Sequence, residues 1–147
     1  MTISNIKQFD EFTGLILGNL YEQFPVPCSL MVTKLIPDGN RINESDGITV
    51  PNTKGEFLLA CIGWLAESGY LRFRNRVHNI GYFDAVLTAK GLEVLKAIPE
   101  SLSTGPTLGD QLVDATKSGA KSLLGDIAGQ ALSIGVKFAT NHFGLPG

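Results

Sequence analysis

Residues 56–98 read EFLLACIGWLAESGYLRFRNRVHNIGYFDAVLTAKGLEVLKAI, and the order of local signals in this stretch decides the fold. Asn52 and Thr53 stand just before it as a helix start, with Glu56 three residues after Thr53, the spacing of a capping box. A helix over residues 54–68 follows. Gly69 ends it, because glycine takes the left-handed conformation beyond a last helical turn at little cost. Alternation of apolar and polar residues then predicts two strands, 70–77 and 82–87, joined by His78-Asn79-Ile80-Gly81. Thr88 caps a further helix over 89–98, which Pro99 closes.

Toward the N-terminus, Ile6, Phe9, Phe12, Ile16, Leu20 and Phe24 recur at helical spacing and form one apolar stripe, with Ser4 or Asn5 as the cap. Pro25 and Pro27 end that helix, since the residue before a proline is pushed out of the α region. A short second helix over 28–36 is expected from the one-turn pairs Met31 with Leu35 and Val32 with Ile36. Residues 37–51, PDGNRINESDGITVP, hold two Asp-Gly pairs and two prolines and read as a loop or hairpin excursion. Ile48 and Val50 alternate there as a short strand.

A helix ending in WLAESGYL, then strand–turn–strand, then LTAKGLEVL resembles the winged helix-turn-helix proteins, in particular the MarR-like and PadR-like regulators. The resemblance implies an α+β fold, with a winged helix-turn-helix core of three to four helices and a β-hairpin wing over residues 5–102. A Gly/Ala-rich helical extension over 103–147 follows it. The resemblance further implies a DNA-associated transcriptional regulator that forms a homodimer, with the helix over 53–68 entering the major groove of double-stranded DNA. That it is small, non-enzymatic and cytoplasmic is the expectation from length, motifs and composition.

The residues themselves pull in two directions. Phe57 to Ala66 are ten consecutive residues whose only polar side-chain groups are an indole N–H and a thiol. Base edges are read mainly by Arg, Lys, Asn, Gln, Ser and Thr, and a helix apolar all round is expected to be buried all round. Arg72, Arg74 and Arg76 lie at period two and should line one strand face, with Leu71, Phe73 and Val77 on the other and His78 continuing the basic side. Together with Lys54 these groups are the expected phosphate contacts, giving salt-dependent binding of low specificity. The competing expectation is a protein-interaction module on the same scaffold, its contact formed by Trp64, Phe57 and the C-terminal helix.

Beyond Pro106 the polar side of the helical pattern jumps, from Asp110, Asp114, Lys117 and Lys121 to Asp126, Gln130, Ser133 and Lys137. A break near Leu124-Gly125, or a partner on the second face, accounts for the jump. Gly125 with Gly129 and Ala131 with Gly135 are four apart, a spacing that lets helix backbones approach closely. Leu112, Leu123, Ile127, Leu132 and Phe138 are the expected contacts of a self-association helix.

Composition narrows the function classes. The chain has 147 residues, 44% of them apolar and 18% charged, enough for one domain with a core and too apolar for disorder. A net charge of −2 creates no global field for nucleic acid. Cys28 and Cys61 read as core or near-core thiols of a reducing compartment. With two histidines and no glycine-rich phosphate loop, nucleophile elbow or metal spacing, neither a metal, a cofactor nor a catalytic site is expected. The longest charge-free run, 23–33, is about half of the roughly 20 residues a membrane span needs. Asp10 and Glu11 fall where a signal peptide would be apolar.

Overall fold

The computed structural model describes residues 4–98 and 105–142, with side chains to residue 137. The fold is α+β, as expected: six helices and a small antiparallel sheet among the described residues, an arrangement compatible with a winged helix. Helix α1 (Asn5–Gln23) is followed by strand β1 (Cys28–Met31), the single-turn α2 (Val32–Leu35) and a hairpin of β2 (Asn40–Ile42) and β3 (Thr49–Pro51). Next come α3 (Thr53–Glu67), β4 (Leu71–Arg72), β5 (Asn75–Val77), β6 (Gly81–Leu87), α4 (Ala89–Lys96), α5 (Leu108–Ser118) and α6 (Lys121–His142). In the main sheet β6 is central, with β1 on one side and β4 and β5 on the other. No helix among the described residues is long and apolar enough to cross a membrane.

Local chemistry explains the element ends. Ser4 Oγ accepts the Lys7 N–H (3.1 Å) at the start of α1. At α3 the cap is Asn52, whose Oδ1 accepts the Gly55 N–H (3.0 Å), so the expected capping box on Thr53 and Glu56 does not form. The α3 end is tied by Gly69 N–H to Ala66 O (3.1 Å) and Tyr70 N–H to Leu65 O (2.9 Å), the paired bonds of a Schellman motif. Thr88 Oγ1 accepts the Gly91 N–H (3.1 Å) and donates to Gly69 O, so the start of α4 is fastened to the end of α3.

The expected helix over 28–36 is mostly replaced by β1. Cys28 pairs with Ala85, Leu30 with Tyr82 and Met31 with Gly81, and Leu30 is buried. The open edge of β6 offers this segment a full ladder, whereas two apolar pairs one turn apart give a helix only a few tenths of a kcal/mol each. From Cys28–Ala85 to Leu30–Tyr82, β6 carries one residue more than β1, a bulge next to Asp84, whose φ is +56°.

The segment after Pro106 is part of the core. Leu108, Leu112, Ala115, Leu124, Ile127 and Ala131 belong to one hydrophobic cluster with Phe12, Ile16, Leu17 and Leu20 of α1 and Leu58, Ile62 and Leu65 of α3. The boundary at 102/103 is therefore one of composition; the core runs across it. The break falls at Gly119, in the left-handed region (φ +74°), and not at Leu124-Gly125. Gly119 N–H and Ala120 N–H bond to Thr116 O (3.3 Å) and Ala115 O (3.0 Å). Two helices in place of one account for the jump of the polar face.

Close backbone approach occurs on α1 as well as in the glycine-rich segment. A Cβ at Gly14 would sit 2.6 Å from the backbone oxygen of Leu124, whereas one at Gly129 meets nothing within 4 Å. Both lie inside helices, where Gly→Ala gains about 1 kcal/mol in propensity. Gly129→Ala is therefore expected to raise stability by about 0.5–1 kcal/mol. Gly14→Ala is expected to lower it by about 1–3 kcal/mol, because α1 and α6 must part. Urea denaturation of the two variants checks both signs.

Candidate functional site

Helix α3 is amphipathic in place although nearly uniformly apolar in sequence. Gly55, Leu58, Cys61, Ile62 and Leu65 face inward. Glu56, Ala60, Trp64 and Glu67 are exposed on the opposite side. Trp64 is 48% exposed, which corrects the expectation of a helix buried on every side. The helix is covered on one side, by α1, α2, β3 and β4, and among the described residues nothing comes down over the other.

Trp64 forms a ridge between two depressions. Toward α1 lies an apolar groove of about 360 Å³, lined by Asn5, Ile6, Phe9, Phe57, Ala60, Cys61 and Trp64. Phe9 meets the Trp64 ring edge-on, with centroids 5.3 Å apart and planes at 89°, and so holds the indole upright. Toward the hairpin lies a cleft of about 490 Å³. Its α3 wall is Glu56, Leu59, Ala60, Gly63, Trp64 and Glu67, and its other wall is Arg76, His78, Asn79 and Tyr82. Neither Glu56 nor Glu67 has an ion-pair partner among the described residues.

The expected phosphate contacts divide. Arg76 and His78 share the cleft. Arg72 and Arg74 are exposed and without ion-pair partners among the described residues. Strict alternation across the three arginines fails: the strand is interrupted at Phe73–Arg74, opposite the left-handed Asp84. Phe73 then meets the Tyr82 ring edge-to-face (4.8 Å, 81°), and the Arg76 guanidinium lies over the same ring (5.6 Å). Positions on opposite faces of an ideal strand thus meet one side chain. Lys54 is elsewhere, its Nζ 2.7 Å from Asp38 Oδ2 at the foot of the β2–β3 hairpin. That hydrogen bond holds the Asp38 carboxyl below the usual carboxylate range.

The expected self-association residues also separate. Leu112 and Ile127 are buried within the chain's own core, so this fold cannot present them to a second copy. Their helical stripe faces α1, which sequence alone does not reveal. Leu132 is partly buried against the same core, and Leu123 is 47% exposed. The Phe138 side chain lies outside the described residues.

The thiols offer little nucleophilic chemistry. Burial pushes Cys61 up to about 12. Burial also raises Cys28, against a smaller lowering by Lys34. Thiolate is thus disfavoured at both positions.

Sequence reasoning named Trp64 and Phe57 but missed Ile6, Phe9, Tyr82 and the flanking pair Glu56 and Glu67. Ile6 and Phe9 continue the α1 stripe, yet Ile6 is 64% exposed because it lies nearer the end of α1 than the buried cluster, which on this helix begins at Phe12. A readable signal for Glu56 and Glu67 was their place on one line with Ala60 and Trp64 at spacings of four, four and three. Comparison with protein-family models, with curated proteins and with solved structures found no match to this chain.

Proposed function

We propose that this chain is a non-enzymatic interaction module on a winged-helix scaffold that docks a partner protein across the outward face of α3. The order of α3, the β5–β6 hairpin and α4 supports the scaffold. The observation that carries the function is the exposure of Trp64 between two depressions at the middle of that face. Aromatic anchors set in apolar pockets dominate the energetics of protein interfaces. A DNA-reading helix would place hydrogen-bonding groups there, and this one places an indole, a methyl group and two carboxylates that repel phosphate.

A second reading, phosphate binding by the wing, is favoured by the exposed and unpaired Arg72 and Arg74. Fluorescence anisotropy against mixed duplexes at low salt separates the two. The docking reading expects no saturable binding. Saturable binding that falls steeply with salt and is lost in Arg72→Ala/Arg74→Ala would install the second reading in its place.

A further inference from the structure

We infer that the occupant of the α3 face is a helical segment of a different protein, with an apolar stripe that carries a lysine or arginine near each end. This rests on the docking reading and names the chemistry of its partner. Glu56, Ala60, Trp64 and Glu67 lie along one side of α3 and are exposed. Eleven residues at the helical rise separate the two carboxylates by about 16 Å, with the apolar pair between them. Both acids lack an ion-pair partner among the described residues.

Charge decides between a second copy and another chain. A two-fold contact over this line sets acid against acid in either sense: antiparallel helices bring each Glu56 against a Glu67, and parallel ones bring each acid against its own copy. Like charges are then juxtaposed at both ends, which is how an interface rejects a wrong partner. A helix with cations at the same spacing meets carboxylates at both ends. Its apolar side chains enter the groove of Ile6, Phe9 and Phe57 beside Trp64, the helix-in-groove mode of recognition. Across the cleft, the Arg76 guanidinium opposes a cation that strays toward the wing, which disfavours rotation of the bound helix in that direction.

The test uses the full chain and two peptides of about 18 residues, long enough to be helical in isolation. Both are leucine- and alanine-rich helices. One carries lysines about eleven residues apart on its apolar stripe, and the other carries glutamates at the same positions. Trp64 is the chain's single tryptophan, so its emission reports occupancy directly. The lysine peptide is expected to bind about tenfold or more tighter than the glutamate peptide, with the gap narrowing at about 0.5 M salt. In the Glu56→Lys/Glu67→Lys variant the preference reverses; both side chains are exposed, and circular dichroism confirms that the variant is folded. Equal binding of both peptides with a shift in Trp64 emission overturns the charge inference and leaves docking standing. No shift with either peptide up to about 1 mM, the weak limit of measurable affinity, overturns docking as well.

Discussion

Leu112→Ala is expected to lower the free energy of unfolding by about 2–5 kcal/mol, the range for removing a buried leucine from a packed core. The loss should be the same at every protein concentration. Leu112 is fully buried in the core of its own chain, on a helix that packs against α1, α4 and α6. Its Cβ and carbonyl lie against Gly18, within 3.3 Å of where a side chain would begin. Truncation therefore leaves a cavity between helices that cannot close without moving α1. A residue at an interface between copies behaves differently, because its contribution enters through mass action and the transition shifts with concentration. Thermal melts of the variant and the parent across a hundredfold range of concentration, roughly 3 kcal/mol in the mass-action term, measure this directly. A difference between them that shrinks with dilution would return Leu112 to an interface between copies.

A chain ending at Ile98 is expected to lose its cooperative transition altogether. Without α5 and α6, the side of α1 that carries Gly14, Gly18 and Tyr21 has no cover. Leu108, Leu112, Leu124 and Ile127 also leave the core. Burial of four such side chains is worth roughly 6–12 kcal/mol at about 1.5–3 kcal/mol each. That matches the whole net stability of an ordinary domain, about 5–15 kcal/mol. Loss of near-ultraviolet dichroism and of a sharp melt, with some helical signal kept, is the expected outcome. A sharp two-state melt would show that residues 4–98 fold alone.

The parts of this fold that could be read from the sequence are those set by neighbours along the chain. Ser4 caps α1, Asn52 and Gly69 bound α3, and Thr88 opens α4, each through bonds within a few residues of its own position. The wing was legible because His78 to Gly81 reverse the chain between two alternating segments. Elements set by distant partners were not legible. Cys28 to Met31 form a strand because β6 presents an edge to them, and nothing in those four residues announces it. The break at Gly119 was hidden among many glycines, of which only some take up unusual backbone.

The candidate site was half legible for a related reason. Composition says that α3 is apolar, and it says nothing of which neighbours cover it. Leu58, Ile62 and Leu65 are covered, and Trp64, one residue before Leu65, is exposed. The same limit applies to Leu112 and Ile127, whose pattern is that of any helix with an apolar stripe. Only the packed chain shows that α1 fills the place a second copy would have taken.

The covering of α1 by α5 and α6 has a consequence for biosynthesis. A ribosome releases α1 well before the two helices that complete its shelter, and domains form only once their contacts exist. Throughout that interval Leu17 and Leu20 have no permanent neighbours from the far end of the chain, and closure must wait for contacts of large sequence separation. Nascent chains whose emerged portion ends before residue 108 should therefore recruit holding chaperones and yield readily to protease, and those held on a C-terminal linker long enough for residue 142 to clear the exit tunnel should resist.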